Sequence, residues 1–150
     1  MDLTPIGAWR ALGFISDDAI APTVATAVAE GSAPLDRFRS LMGTLYGIAG
    51  IAHAVDLLIG QSALLTAAGA PPFQELPPPA QALACAWCLA GPLAYLTSRR
   101  GGRAADAGLV FYGLIEVLGA AFTDALPNAL AVQGVVAASW IYSSTQTDKS

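Results

Sequence analysis

The stretch from Leu41 to Gly60, LMGTLYGIAGIAHAVDLLIG, constrains this chain more than any other, because it pairs the length of a bilayer crossing with two ionisable residues, His53 and Asp56. About 20 mostly apolar residues at a rise of roughly 1.5 Å each match a hydrocarbon thickness of about 30 Å. The first expectation is therefore a transmembrane helix. Composition agrees: the chain is 55% hydrophobic and 12% charged over 150 residues, with a mean hydropathy of +0.56, well above that of an ordinary soluble domain. The net charge is −4. Without a Lys/Arg cluster interleaved with aromatic residues, no nucleic-acid partner is expected. Lipid, protein or an apolar small molecule remain as partners.

Residues 1–31 are more polar and form a peripheral segment. Within it Pro5 to Ile15 places Ile6, Trp9, Ala11, Leu12 and Ile15 at near-helical spacing, which fits either a short helix in the headgroup region or an arm docked on a partner protein. No positively charged region followed at once by an apolar run and an Ala-x-Ala site is present, so no secretory signal peptide is expected, and any organellar transit peptide has been removed. Ser32, Pro34 and Asp36 read as a helix start, with a cap, a first-turn proline and an acid at the positive end of the dipole.

Three further apolar runs follow. After Gly60, Pro71, Pro72, Pro77, Pro78 and Pro79 break the chain into a structured loop, with Phe73 and Leu76 available for packing. Runs at 80–97, 107–123 and 126–142 complete four spans, and residues 32–150 are expected to form a four-helix transmembrane domain behind the peripheral segment. Charge placement supports the count. Four crossings put all seven basic residues, Arg10, Arg37, Arg39, Arg99, Arg100, Arg103 and Lys149, on one side. That asymmetry predicts an all-α membrane protein with both termini inside. A short echo, Leu45-Tyr46-Gly47-Ile48 against Phe111-Tyr112-Gly113-Leu114, hints at two related hairpins.

The residues able to carry chemistry are few. Gly43, Gly47, Gly50 and Ala54 form a narrow stripe that suits close helix packing or a flat pigment or quinone ring. His53 and Asp56 share a face, and the readings open to them are a structural polar pair, a cofactor ligand, or a proton-transfer pair. As a ligand, the His53 imidazole would donate one ring nitrogen to a chlorophyll magnesium or a haem iron. Glu116 lies mid-span with no Lys or Arg in any span to neutralise it, so a protonated, hydrogen-bonded state is expected. Gln133 fits a cross-helix hydrogen bond or a ligand. Cys85-x-x-Cys88 places two sulfurs on one helix face and resembles the membrane-embedded pair of the vitamin K epoxide reductase family, although a second cysteine pair to relay electrons is missing. The alternative functions are thus a quinone-linked thiol oxidoreductase and a small four-helix transporter.

Taken together, LYGIAGIAHAVDLLIG, LPPPAQALACAWCLAGPLAYLTSRRGG and AADAGLVFYGLIEVLGAAF resemble the small multi-span subunits associated with photosystem I in algae with red-lineage plastids, over roughly residues 41–122. The resemblance implies a non-enzymatic accessory subunit of the thylakoid membrane that bridges the reaction-centre core and antenna proteins. It also implies some bound chlorophyll and carotenoid, with His53 as axial ligand to chlorophyll magnesium, Glu116 and Gln133 behind it, and the basic side facing the stroma. The paired Glu-x-x-x-x-Arg signature of chlorophyll a/b-binding proteins is not present.

Overall fold

A computed structural model describes residues 33–147, and they are all-helical, with no strand among them. The peripheral segment 1–31, Ser32 and Lys149 lie outside the described residues. Helix α1 runs Pro34–Leu58, a short α2 Ala63–Ala67, α3 Pro78–Ser98, α4 Gly102–Ala120 and α5 Leu126–Thr147, with a 3-10 turn at Phe73–Glu75 ahead of α3. Pro34 occupies the first turn of α1, where its missing N–H costs nothing, and Asp36 follows it at the positive end of the dipole. The N-cap position is Ala33, which makes no side-chain cap. Two helices, α1 and α3, are long and apolar enough to cross a membrane. Helix α4 carries Arg103, Asp106 and Glu116, and α5 carries Asn128 and Gln133; neither reaches that standard among the described residues.

The glycine stripe is the seam between α1 and α3. A Cβ on Gly50 would come within 2.8 Å of the Gly91 Cα and 2.9 Å of the Pro92 Cδ, and one on Gly91 would collide with the Tyr46 carbonyl oxygen. Gly43 lies against Ser98 and Ala94, and Gly47 against Tyr95. Backbones can approach this closely only where side chains are absent. Gly101 and Gly102, at φ of 69° and 54°, turn the chain directly from α3 into α4. Gly108 then sits under Thr97 and Ala94. Tyr46, Ala90, Ala94, Leu109 and Tyr112 form the central core, edged by Phe38, Met42, Trp87, Ile115 and Val136.

Helix α5 is attached differently. Among its residues Ala129 alone is buried, Val136 packs against the central core, and several long-range hydrogen bonds tie the helix to its neighbours. Asn128 donates to the Ala68 carbonyl (3.2 Å) and Gln133 to Glu116 (2.6 Å). Nearer its end, Trp140 donates to Asp106 (3.0 Å), and the Thr147 hydroxyl accepts from the Leu35 backbone N–H (3.1 Å). These contacts, with Arg39 reaching Asp106 and Gly43 touching Ser98, bring the start of α1, the end of α3, the start of α4 and the end of α5 to one end of the bundle.

Polarity is distributed inside out. His53, Asp56 and Ser62 are the largest fully buried side chains, while Leu58, Leu89, Val110 and Val135 are between 67% and 86% exposed.

Candidate functional site

His53 sits on α1 with 0% exposure, its ring tilted 52° against Trp87 at a centroid distance of 4.4 Å. Neither ring nitrogen has a hydrogen-bond partner, and the Trp87 indole N–H lacks one as well. The Asp56 carboxylate and, after it, the Ala84 carbonyl lie within electrostatic reach of the imidazole, neither in hydrogen-bond geometry. The imidazole is thus fully enclosed, with Trp87 against its ring and both nitrogens unpartnered.

Asp56 shares the face of His53, as its spacing requires, yet serves a different partner. Its two carboxylate oxygens accept the backbone N–H groups of Ala63 (3.0 Å) and Leu64 (2.9 Å) at the start of α2. The side chain is 1% exposed. The two N–H groups it satisfies would otherwise be left orphaned at a helix start. Ser62, held in the left-handed region at φ 52°, accepts the Phe73 N–H at 3.1 Å, and Gln81 donates to the Phe73 carbonyl at 3.0 Å. Leu65 and Leu76 close the loop over Ala80 and Ala84. His53 and Asp56 therefore lie within electrostatic reach of each other but share no hydrogen bond, the carboxylate serving as the anchor of the loop.

Glu116 and Gln133 do come together. The Gln133 amide donates to Glu116 (2.6 Å), and the Tyr46 hydroxyl donates to the Gln133 carbonyl oxygen (3.2 Å). Tyr46 in turn stacks on Tyr112. Helices α1 and α4 therefore meet, but Glu116 faces Gln133 and does not bond His53. No cation neutralises Glu116 in this chain of contacts; a neutral amide does the bonding.

The sequence reading missed a third cluster. The Arg39 guanidinium grips Asp106 through Nε (2.8 Å) and Nη2 (2.6 Å) while its Nη1 reaches Asp36 (3.0 Å). With Trp140 as a further donor to Asp106, the carboxyl is held below its ordinary value, first by the Arg39 hydrogen bond and then by that of Trp140, against the opposing effect of burial. An available signal was the pairing of one acid just ahead of an apolar run with an arginine on the same side. Beside this cluster opens a groove of about 300 Å³ lined by Phe38, Leu109, Val110, Val136, Ala137 and Ile141 together with the polar Asp106, Trp140 and Gln133. Of the three predicted site residues, Gln133 lines it.

Cys85 is exposed and Cys88 half-buried, both unbridged, and the Cys88 thiol donates to the Ala84 carbonyl at 3.4 Å. Neither lines the groove. Among the described residues no cluster of three His, Cys, Asp or Glu side chains could hold a metal ion. No family model, curated sequence or solved structure matches the chain.

Proposed function

We propose that this chain is a non-enzymatic accessory subunit of a larger membrane assembly, spanning the bilayer with α1, α3, α4 and α5 and keeping both ends on the arginine-rich side. One observation carries the reading: large apolar side chains point outward from all four long helices, while the largest fully buried side chains are the polar His53, Asp56 and Ser62. Water would penalise such an exterior heavily, whereas hydrocarbon accepts it. The end of the bundle holding Arg37, Arg39, Arg99, Arg100 and Arg103 has only Asp36 and Asp106 as described acids, in keeping with the positive-inside rule.

The sequence resemblance extends this reading to photosystem I of a plastid thylakoid, with the arginine end toward the stroma and the core and antenna proteins as neighbours. The pigment part of the reading, chlorophyll and carotenoid, rests on that resemblance.

The test combines extraction with labelling. The protein should resist alkaline washing of membranes and require detergent for release. In a background lacking Cys85 and Cys88, Arg100→Cys and Asp124→Cys should react with a charged thiol reagent from opposite sides of sealed vesicles. Labelling of both from one side would overturn the four-span arrangement. Co-migration with a large pigmented complex in mild detergent is the expected outcome of native electrophoresis, and a colourless monomer from the native membrane would overturn the photosystem assignment.

A further inference from the structure

We propose that the groove between α1, α4 and α5 seats one acyl chain of an anionic phospholipid whose phosphate lies against Arg103 at the groove's mouth. This rests on the four-span reading above, which places the groove in the bilayer with its mouth at the headgroup level. Its mouth is marked by Asp106 and Trp140, and Gln133 lies on its wall seven residues before Trp140 on α5, a separation of about 10 Å along the axis. The groove, about 300 Å³ in volume and lined by apolar side chains between those two points, suits a hydrocarbon chain. Its wall is apolar throughout the middle. At Gln133 the amide is already committed to Tyr46 and Glu116, so that part of the wall asks for no polar ligand.

Charge at the mouth selects the headgroup. The Asp106 carboxylate is matched by the two-point Arg39 grip and the Trp140 N–H, so it is compensated toward an incoming phosphate. Arg103 lies one turn earlier on the face of α4 that carries Asp106 and Val110, and it is exposed. Arg99 and Arg100, also exposed, occupy the adjoining turn. Their attraction for an anionic lipid surface is additive over a Debye length, and Trp140 is the residue type that anchors at the headgroup level.

The experiment uses full-length protein extracted in mild detergent, with phosphatidylglycerol and phosphatidylcholine as probes. Native mass spectrometry should find one retained phosphatidylglycerol, and re-adding it to delipidated protein should raise the melting temperature by at least three times the shift given by phosphatidylcholine. Ala137→Phe, which fills the groove, should abolish retention, and Arg103→Gln should bring the two lipids to equal effect. For a measurement independent of any variant's folding, phosphatidylglycerol with a diazirine in its acyl chain should crosslink wild-type protein within residues 103–110 and 133–141. Equal effects of the two lipids, crosslinks confined to other segments, or undiminished retention in folded Ala137→Phe would overturn the lipid site. A stoichiometric polypeptide displaced by Ala137→Phe would assign the groove to a protein instead. Recovery of the chain from the aqueous fraction without detergent would overturn the spanning reading itself; detergent-dependent protein without lipid discrimination would overturn this site alone.

Discussion

The rings of Tyr46 and Tyr112 stack across the α1–α4 contact with centroids 3.7 Å apart and planes within 13° of parallel. They are the tyrosines of the two echoing tetrapeptides, and the glycine after each meets the next long helix: Gly47 lies under Tyr95 of α3, and Gly113 under Gln133 of α5. Tyr112→Ala should therefore cost about 3–5 kcal/mol, as for other large core truncations. Tyr46→Phe keeps the stack and removes only the donor to Gln133, for a loss of about 1 kcal/mol. Denaturant unfolding in micelles measures both.

Gly91 and Gly134 should respond in opposite ways to alanine. A Cβ at Gly91 strikes the Tyr46 carbonyl and the Gly50 backbone, whereas one at Gly134 meets nothing within 4 Å. Gly91→Ala must push α1 and α3 apart, at a cost of about 2 kcal/mol or more. Gly134→Ala gains helix propensity and should be neutral or stabilising by up to about 1 kcal/mol. Melting temperatures of the two variants, prepared identically, provide the comparison.

Asp56 can be tested as the anchor of α2. Asp56→Ala leaves the Ala63 and Leu64 N–H groups without their acceptor and should cost about 1–2 kcal/mol. Asp56→Asn keeps one acceptor and should lose less. The structural signature is faster hydrogen exchange at Ala63 and Leu64 with little change in the middle of α1.

Acid should weaken the bundle through Asp106. Its carboxyl is held below the ordinary value of 3.8 by Arg39 and Trp140. The resulting stability is fully present above that ordinary value and is lost as pH falls through the lower, folded one, because the unfolded chain takes up the proton first. Melting temperature followed from about pH 6 downward should stay level and then drop below about pH 4. Asp106→Asn should lower the plateau and remove this component of the drop.

Replacing His53 should relieve a cost. Both ring nitrogens are buried without partners, so His53→Leu removes unpaired polar atoms at similar volume and should leave stability unchanged or raise it by about 1 kcal/mol. A loss of more than about 1 kcal/mol would show that the imidazole bonds a group in the folded protein.

Periodicity and glycine spacing made much of the scaffold legible. The stripe Gly43, Gly47 and Gly50 announced a close helix contact, and the α1–α3 seam is that contact. The apolar runs located all four long helices, with ends displaced by a few residues because polar turns such as 34–40 continue the helix beyond the apolar segment. The site was less legible. Spacing places His53 and Asp56 on one face but says nothing of what lies opposite, and the partners of Asp56 are backbone groups seven and eight residues onward in a loop without periodicity. Arg39 and Asp106 are 67 residues apart, and only the fold brings them together.

The attachment of α5 has a consequence for how it finds its place. Ala129, Gln133, Val136, Trp140, Ser143 and Thr147 follow the alternating four-three spacing of a heptad seam, yet three of the six are tied by polar pins: Gln133 to Glu116, Trp140 to Asp106 and Thr147 to Leu35. On the proposed four-span reading α5 lies in hydrocarbon, where a smooth apolar helix can slide along its neighbours at little cost, since lipid tails replace any lost contact. A slip of one turn, about 5.4 Å, would break all three pins at once. The last helix is thus keyed like a lock with spaced wards, its alignment fixed by where it bonds rather than by how much surface it covers.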